Sequence, residues 1–223
     1  MSDARSKVVT QHGANAGNAF DYAYAHQADW AYPPNLTSRV HYWRSLIQEA
    51  IIDGGNDYIV AEEPDPDVYP APIVSFDVAK LKFWTDQRLT PLQISISNDG
   101  QLTAEQKDWF SLFFTEYDSN FSHVANYTTG SCVGAYPLAQ TQGRLWNAIK
   151  RTVNVVVTML VEIVPAALSA AAATGAIFTA FGGPTATQFG VTVGAGIGFW
   201  LGFVRGVDRI NKGNLVCILP PCS

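Results

Sequence analysis

A long stretch without any charged residue sets the strongest limit on how this chain can fold. No Asp, Glu, Lys or Arg occurs among the 42 residues from Ile163 to Val204, although the chain as a whole has 223 residues and a net charge of −5. The segment FGGPTATQ (181–188) interrupts this stretch with residues typical of a tight turn. The sequence therefore predicts a hydrophobic helical hairpin, whose two arms must be buried in protein or in lipid.

Glycines recur at every fourth position in the second arm of this hairpin. Residues four apart share one face of a helix, so the stripe carries no side chains. Each glycine costs about 1 kcal/mol relative to alanine in an exposed helix. We therefore expect a helix to pack against the stripe, either the Ala/Ser-rich run 166–176 or another copy of the chain. The stripe consists of Gly190, Gly194, Gly198, Gly202 and Gly206, and the opposite face, expected in apolar surroundings, carries Phe199, Trp200 and Phe203.

Residues 190–206 resemble the glycine zipper of membrane-inserting proteins, including some pore-forming toxins. The apolar hairpin over 145–210 is similar to the hydrophobic hairpin of pore-forming colicins. The resemblance covers under a third of the chain. It implies a membrane-active, pore-forming toxin or effector that inserts its hairpin into a target bilayer, with a lipid membrane as partner and a homo-oligomer as the inserted state.

A narrow polar stripe runs along the first arm of the hairpin. Because it is the only polar surface of this helix, it is expected to face a water-filled path after insertion. Glu162 is the candidate acid trigger, since a carboxyl group that loses its charge enters an apolar environment at lower cost. The stripe consists of Asn147, Arg151, Asn154, Thr158 and Glu162.

The first 140 residues predict a different architecture. Apolar residues spaced three and four apart predict helices over 36–52, with Gly54 and Gly55 as the stop, and from Thr103 to about 117. Residues 56–60 predict a short strand, and the alternation over 73–84 and 92–97 predicts two more with one wet face. The expected fold is α+β: a small mixed N-terminal region (1–140) with a short antiparallel sheet, followed by a hydrophobic hairpin region with a short tail (141–223).

Two groups of residues keep an enzymatic function open. Cys132 and His123 could form a thiolate–imidazole pair, which predicts a hydrolase that is soluble or tethered by its hairpin. Acidic side chains in a proline-rich loop could act as acid and base or hold a cation, although solvated surface charges give the same pattern. These are Glu62, Glu63, Asp65 and Asp67.

No cofactor, metal centre or nucleic-acid partner is expected. His12, His26 and His41 lack metal-ligand spacing, and the segment around Asp99 and Gly100 has too few carboxylates for a calcium loop. The acidic net charge and the absence of a clustered basic face argue against nucleic acid.

The N-terminal segment MSDARSKVVTQHGANAG has no apolar core of a signal peptide, which predicts a soluble protein, secreted or exported by another route, that acts at a target membrane. Cys217 and Cys222 could close a small disulfide loop or remain as thiols. Three further readings of the hairpin remain open: the permanent core of a soluble protein, a constitutive membrane anchor, or a non-toxic module that docks a partner helix.

Overall fold

The structure is a computed structural model of the chain that describes residues 1–26, 36–63, 75–133 and 142–216. Side chains are described throughout these ranges except at 128–133, 142–145 and 175–189. The described helices are α1 (Ser2–His12), α2 (Ala14–Ala25), α3 (Ser38–Ala61), α4 (Val78–Asn98), α5 (Ala104–Val133) and α6 (Gln142–Asn211).

The predicted α+β fold is wrong, because the described residues form helices and contain no strand. Residues 78–84 and 92–97, which alternate as strands do, both lie in α4. The alternation is only one turn or two long, whereas the buried positions of α4 follow helical spacing along its whole length. These are Leu81, Thr85, Leu89 and Ile96, while Ile94, expected on the buried side of a strand, is 58% exposed.

The glycine pair at 54–55 does not end α3, and the strand predicted over 56–60 is the last part of this helix. An added Cβ at Gly54 would lie 2.5 Å from the Cα of Thr85. Glycine is therefore needed here to let α3 and α4 approach closely. Tyr58 and Ile59 continue the buried face of α3 beyond the glycines.

The helix starts predicted near residue 36 and at Thr103 are confirmed by their caps. The Thr37 hydroxyl accepts a hydrogen bond from the Val40 N–H at the start of α3. Thr103 and Gln106 form a reciprocal capping box, in which each backbone N–H donates to the other residue's side chain. The second helix, however, continues well past residue 117, because Phe121, Val124 and Ala125 extend its buried face.

Asp99 joins α3 to the turn between α4 and α5. Its carboxylate accepts hydrogen bonds from the Trp43 indole (2.6 Å), the Arg39 guanidinium (2.5 Å) and the Gln101 backbone N–H (2.8 Å). Burial alone would raise the pKa of Asp99, but the Gln101, Trp43 and Arg39 donors lower this pKa from 3.8 to about 2. The Asp99 carboxylate, which belongs to the weak calcium-loop pattern, is thus used for hydrogen bonds within the fold.

This lowered pKa predicts a specific acid dependence of stability. A carboxyl group with a lower pKa in the folded than in the unfolded state stabilises the fold above its unfolded pKa, and this contribution is lost as the pH falls from about 4 towards 2. We expect Asp99→Asn to lower the melting temperature at pH 7 and to differ little from the wild type near pH 2. Thermal unfolding followed by circular dichroism measures both. The stabilising role of the Asp99 carboxylate would be contradicted if the difference in melting temperature between Asp99→Asn and wild type stays constant down to pH 2. It would also be contradicted if the exposed control Asp108→Asn shows the same difference.

The core is continuous from the N-terminal helices to the hairpin. α6 packs against α5, α3, α1 and α2, and buried residues of all six helices belong to one apolar cluster. The division predicted near residue 140 stays a prediction, since residues 134–141 lie outside the described part of the chain. The hairpin is therefore surrounded by helices that come from the first 133 residues.

Candidate membrane-insertion element

α6 folds back on itself and forms the predicted hairpin. Residues 142–211 are helical throughout, including the turn predicted at 181–188, but the glycines of the second half of α6 contact its first half in antiparallel order. We call Trp146–Thr174 the first arm and Gly190–Asn211 the second arm. Gly206 lies against Met159, Gly202 against Ile163 and Gly198 against Ala167, so the pairs are centred between residues 182 and 183.

The glycine stripe brings the two backbones into direct contact. An added Cβ would lie 2.4 Å from the Ala166 carbonyl oxygen at Gly198 and 2.5 Å from the Ile163 Cα at Gly202. At Gly194 it would meet the Thr174 side chain and the Ala170 carbonyl. Gly190 is buried at the start of the second arm. The small-residue partner of the stripe is therefore the Ala-rich first arm of the same chain, one of the two partners that the sequence allowed.

The aromatic face of the second arm is buried as well. Phe199 and Trp200 are fully buried and Phe203 is 3% exposed. The Trp200 ring packs edge-on against the His123 ring with centroids 5.3 Å apart, and Phe203 packs in the same way against Tyr127 at 5.0 Å. The apolar surroundings predicted for this face are thus supplied by α5 in this structure.

Both arms are long and apolar enough to cross a membrane. The first arm has 29 residues and the second has 22. Most of each arm is buried here. The buried share of the most apolar part is 89% in the first arm and 72% in the second arm, as in the core helices of a water-soluble protein. Length and composition therefore permit membrane crossing, and the fold covers the second arm less completely than the first.

The polar stripe of the first arm changes its environment along its length. Asn147 and Arg151 are exposed, Asn154 and Thr158 are fully buried, and Glu162 is partly buried. Thr158 donates its hydroxyl hydrogen to the Asn154 carbonyl (2.6 Å) and accepts a hydrogen bond from the Val216 N–H (2.8 Å). The segment that follows the second arm therefore covers the middle of the stripe.

An ion pair closes the open end of the hairpin. The Glu162 carboxylate pairs with the guanidinium of Arg209, which also donates to the Asn214 carbonyl (2.9 Å). Glu162 and Arg209 flank the charge-free stretch on the two arms. Glu162 is the member of the polar stripe that lies nearest to the hairpin tip. The stripe therefore ends where the charge-free part of the first arm begins.

The described residues do not assemble either enzymatic candidate. His123 pairs with Asp3 (3.1 Å), Glu62 with Lys80 (2.6 Å), and Glu63 with Trp146 (3.2 Å) and Lys150 (3.5 Å), all contacts that tie helices together. The side chain of Cys132, and Asp65, Asp67, Cys217 and Cys222, lie outside the described residues. Within the described part of the chain, no three His, Cys, Asp or Glu residues are grouped to hold a metal ion.

One group of polar residues, in which Gln11 is exposed, His12 is partly buried and the others are buried, escaped the sequence-based prediction. Residues from α1, α5 and the second arm meet beside the aromatic face, and we call them the polar cluster: Gln11, His12, Glu116, Asn120 and Trp200. They are far apart in sequence and form no motif. The only sequence signal for this cluster is the polar pair Gln11–His12 at the end of α1, a helix with two buried apolar residues.

Comparison with known protein families, with curated proteins and with solved structures finds no match for this chain. Its function is therefore inferred from the geometry alone.

Proposed function

We propose that this protein is membrane-active: it stores a hydrophobic helical hairpin among its other helices and inserts the hairpin into a target bilayer. The observation that carries the proposal is the pairing of two apolar arms whose charges are confined to the open end. In its finer form the proposal is a pore-forming toxin or effector whose inserted hairpins assemble with one another. We call the arrangement described above, with both arms buried, the closed form.

The dimensions of the hairpin fit a bilayer. The chain from Ile163 to residue 182, where the contacts between the arms are centred, has twenty residues, which is about 30 Å of helix and equals the hydrocarbon thickness of a membrane. The chain returns over a similar length to Val204. A hairpin entering from one side would therefore bury the charge-free stretch fully while Glu162 and Arg209 stay at the surface.

The distribution of charge favours entry from one side. The turn carries no charged residue, so its passage through the hydrocarbon costs no desolvation of a full charge. Arg205, Arg209 and Lys212 follow the second arm, and Lys150 and Arg151 lie in the first part of the first arm. These basic residues would remain near anionic headgroups on the side of entry.

Paired arms also suit lipid better than single ones. All backbone hydrogen bonds of a helix are satisfied within it, and close contact through glycine supplies packing where no hydrophobic effect drives association. Because the glycine stripe is occupied by the first arm in the closed form, a hairpin that inserts intact would assemble with other copies through its outer faces. Assembly along the glycines themselves, the arrangement expected from the sequence, requires that the arms first separate.

Vesicle flotation combined with dye release tests the proposal. At pH 5, at pH 7 or at both, we expect the wild-type protein to float with vesicles of anionic lipid and to release an encapsulated dye. Flotation without release would replace the pore with a membrane anchor. If neither flotation nor dye release occurs at pH 5 or at pH 7, the hairpin is the permanent core of a water-soluble protein. The burial of the arms also allows this arrangement.

A further inference from the structure

The second arm makes a close contact with α1 that is separate from its contact with the first arm. An added Cβ at Gly196 would lie 2.1 Å from Nε2 and 2.9 Å from Cε1 of His12. Gly196 is out of register with the glycine stripe, whose members contact the first arm instead. A glycine is thus placed at this position to admit the His12 ring, and α1 lies directly on the second arm.

A chain of hydrogen bonds connects the second arm to α5 through α1. The Trp200 indole donates to Gln11 Oε1 (3.1 Å), Gln11 Nε2 donates to Asn120 Oδ1 (2.8 Å), and Asn120 Nδ2 donates to Glu116 Oε2 (3.0 Å). The other oxygen of Glu116 lies 3.2 Å from His12 Nε2, without the alignment of a hydrogen bond. The bonds that link the second arm to α1 and α1 to α5 therefore both depend on Gln11, whereas the bond from Asn120 to Glu116 lies within α5.

α1 is held to the rest of the fold mainly by such polar contacts. Its buried apolar residues are only Ala4 and Val8. A further polar contact of α1, between the Asp3 carboxylate and the His123 ring, is partly exposed. Because water can replace protein partners in polar contacts at a small net cost, α1 can leave more easily than α3 or α5, which cover the hairpin with large apolar side chains.

α2 is tightly joined to α1. An added Cβ at Gly17 of α2 would lie 2.5 Å from Val9 Cγ2, and Arg5 pairs with Asp21 across the two helices (2.8 Å). Gly13, with φ of 88°, forms the joint between them. A displacement of α1 would therefore move α2 or open this joint.

From these contacts we propose that α1 is an autoinhibitory strap, which holds the second arm in the closed form through the polar cluster and must move away before the hairpin leaves. Displacement of the strap uncovers the side of the second arm that carries Gly196 and the Trp200 indole. This face then becomes available to lipid. Only this last step rests on the proposed function, since the restraint itself is a property of the fold.

The variant Gly196→Ala tests the strap in the full-length chain. The added methyl group has no room beside the His12 ring, but it does not point at the first arm, so the hairpin should remain paired. We expect roughly tenfold faster hydrogen–deuterium exchange of backbone amides in residues 8–12 without lipid, while exchange at 159–170 is unchanged. We also expect increased flotation with anionic vesicles. Gly100→Ala, at an exposed turn with nothing within 4 Å of the added Cβ, is the matched control.

A second variant, Gln11→Ala, loosens the strap by another route, because it removes both hydrogen bonds of Gln11 and adds no bulk. Faster exchange in 8–12 together with stronger flotation in both variants supports the strap. Unchanged exchange in 8–12, or an equal increase along the whole chain, overturns it whatever the wild type does with vesicles. Faster exchange confined to the strap and the second arm, with no flotation of wild type or variants, retains the restraint but refutes its membrane role and the proposed function with it.

Discussion

Replacement of Gly198 by alanine will destabilise the protein, although alanine is the better helix former. The added Cβ would lie 2.4 Å from the Ala166 carbonyl oxygen and 2.7 Å from the Ala167 Cα. Both obstacles are backbone atoms of the first arm, so the arms must move apart instead of a side chain turning away. We expect a loss of about 3 kcal/mol in the free energy of unfolding. For a chain of this size that lowers the melting temperature by roughly 6–12 °C.

The sign of the change in the free energy of unfolding distinguishes a glycine packed against another helix from an exposed one. In an exposed helix the same change stabilises by about 1 kcal/mol. The effect should also vary along the stripe: Gly202→Ala should match Gly198→Ala, whereas Gly206→Ala should cost less, because its nearest obstacle is 3.0 Å away. Urea and thermal unfolding measure the series, with Gly100→Ala as the control in open space. A stabilised Gly198→Ala would refute the pairing of the arms.

The hairpin could be predicted from the sequence because its signals are local and repeated. Forty-two residues without a charge and a glycine at every fourth position leave few alternatives to two packed helices. The same is true of the helix starts at Thr37 and Thr103, where the capping residues lie within three positions of one another. In each case the chemistry that decides the structure is contained in one short segment.

The predicted sheet failed because short alternation is a weak signal. Residues 92–97 alternate over less than two helical turns, and their tertiary contacts are made at helical spacing. The helix end predicted at Gly54 was wrong for a related reason. Glycine often ends a helix, but it also lets two helices pack closely, and only the position of Thr85 in α4 shows that Gly54 has the second role. Such choices depend on residues distant in sequence.

The surroundings of the hairpin could not be predicted for the same reason. Gln11 and Trp200 are separated by 189 positions, and nothing in either segment indicates that they share a hydrogen bond. The spacing of the polar stripe predicts one face of a helix, but its cover, the segment around Val216, comes from beyond the second arm. The membrane function itself stays a proposal, and a charge placed within the arms offers the sharpest test.

Ala173 is the position where one substitution separates insertion from folding. It is partly exposed in the closed form, yet it lies midway between Ile163 and the centre of the turn, and so at the midplane of a bilayer that contains the hairpin. A lysine can extend into water from the closed form, whereas at the bilayer centre it costs about 3 kcal/mol. We expect Ala173→Lys to reduce partitioning into anionic vesicles by roughly a hundredfold.

The matched control for this prediction is Asn147→Lys, which adds the same charge at an exposed position on the same arm, beyond the charge-free span. Because its lysine would stay at the surface beside anionic headgroups, it should partition at least as strongly as the wild type. Vesicle flotation measures partitioning, and thermal unfolding without lipid should show that both variants keep a melting temperature close to that of the wild type. Equal flotation of the two variants would mean that the protein binds the membrane surface with its hairpin still closed. A selective loss in Ala173→Lys would instead place residue 173 in the hydrocarbon, because only there does one ammonium group cost this much.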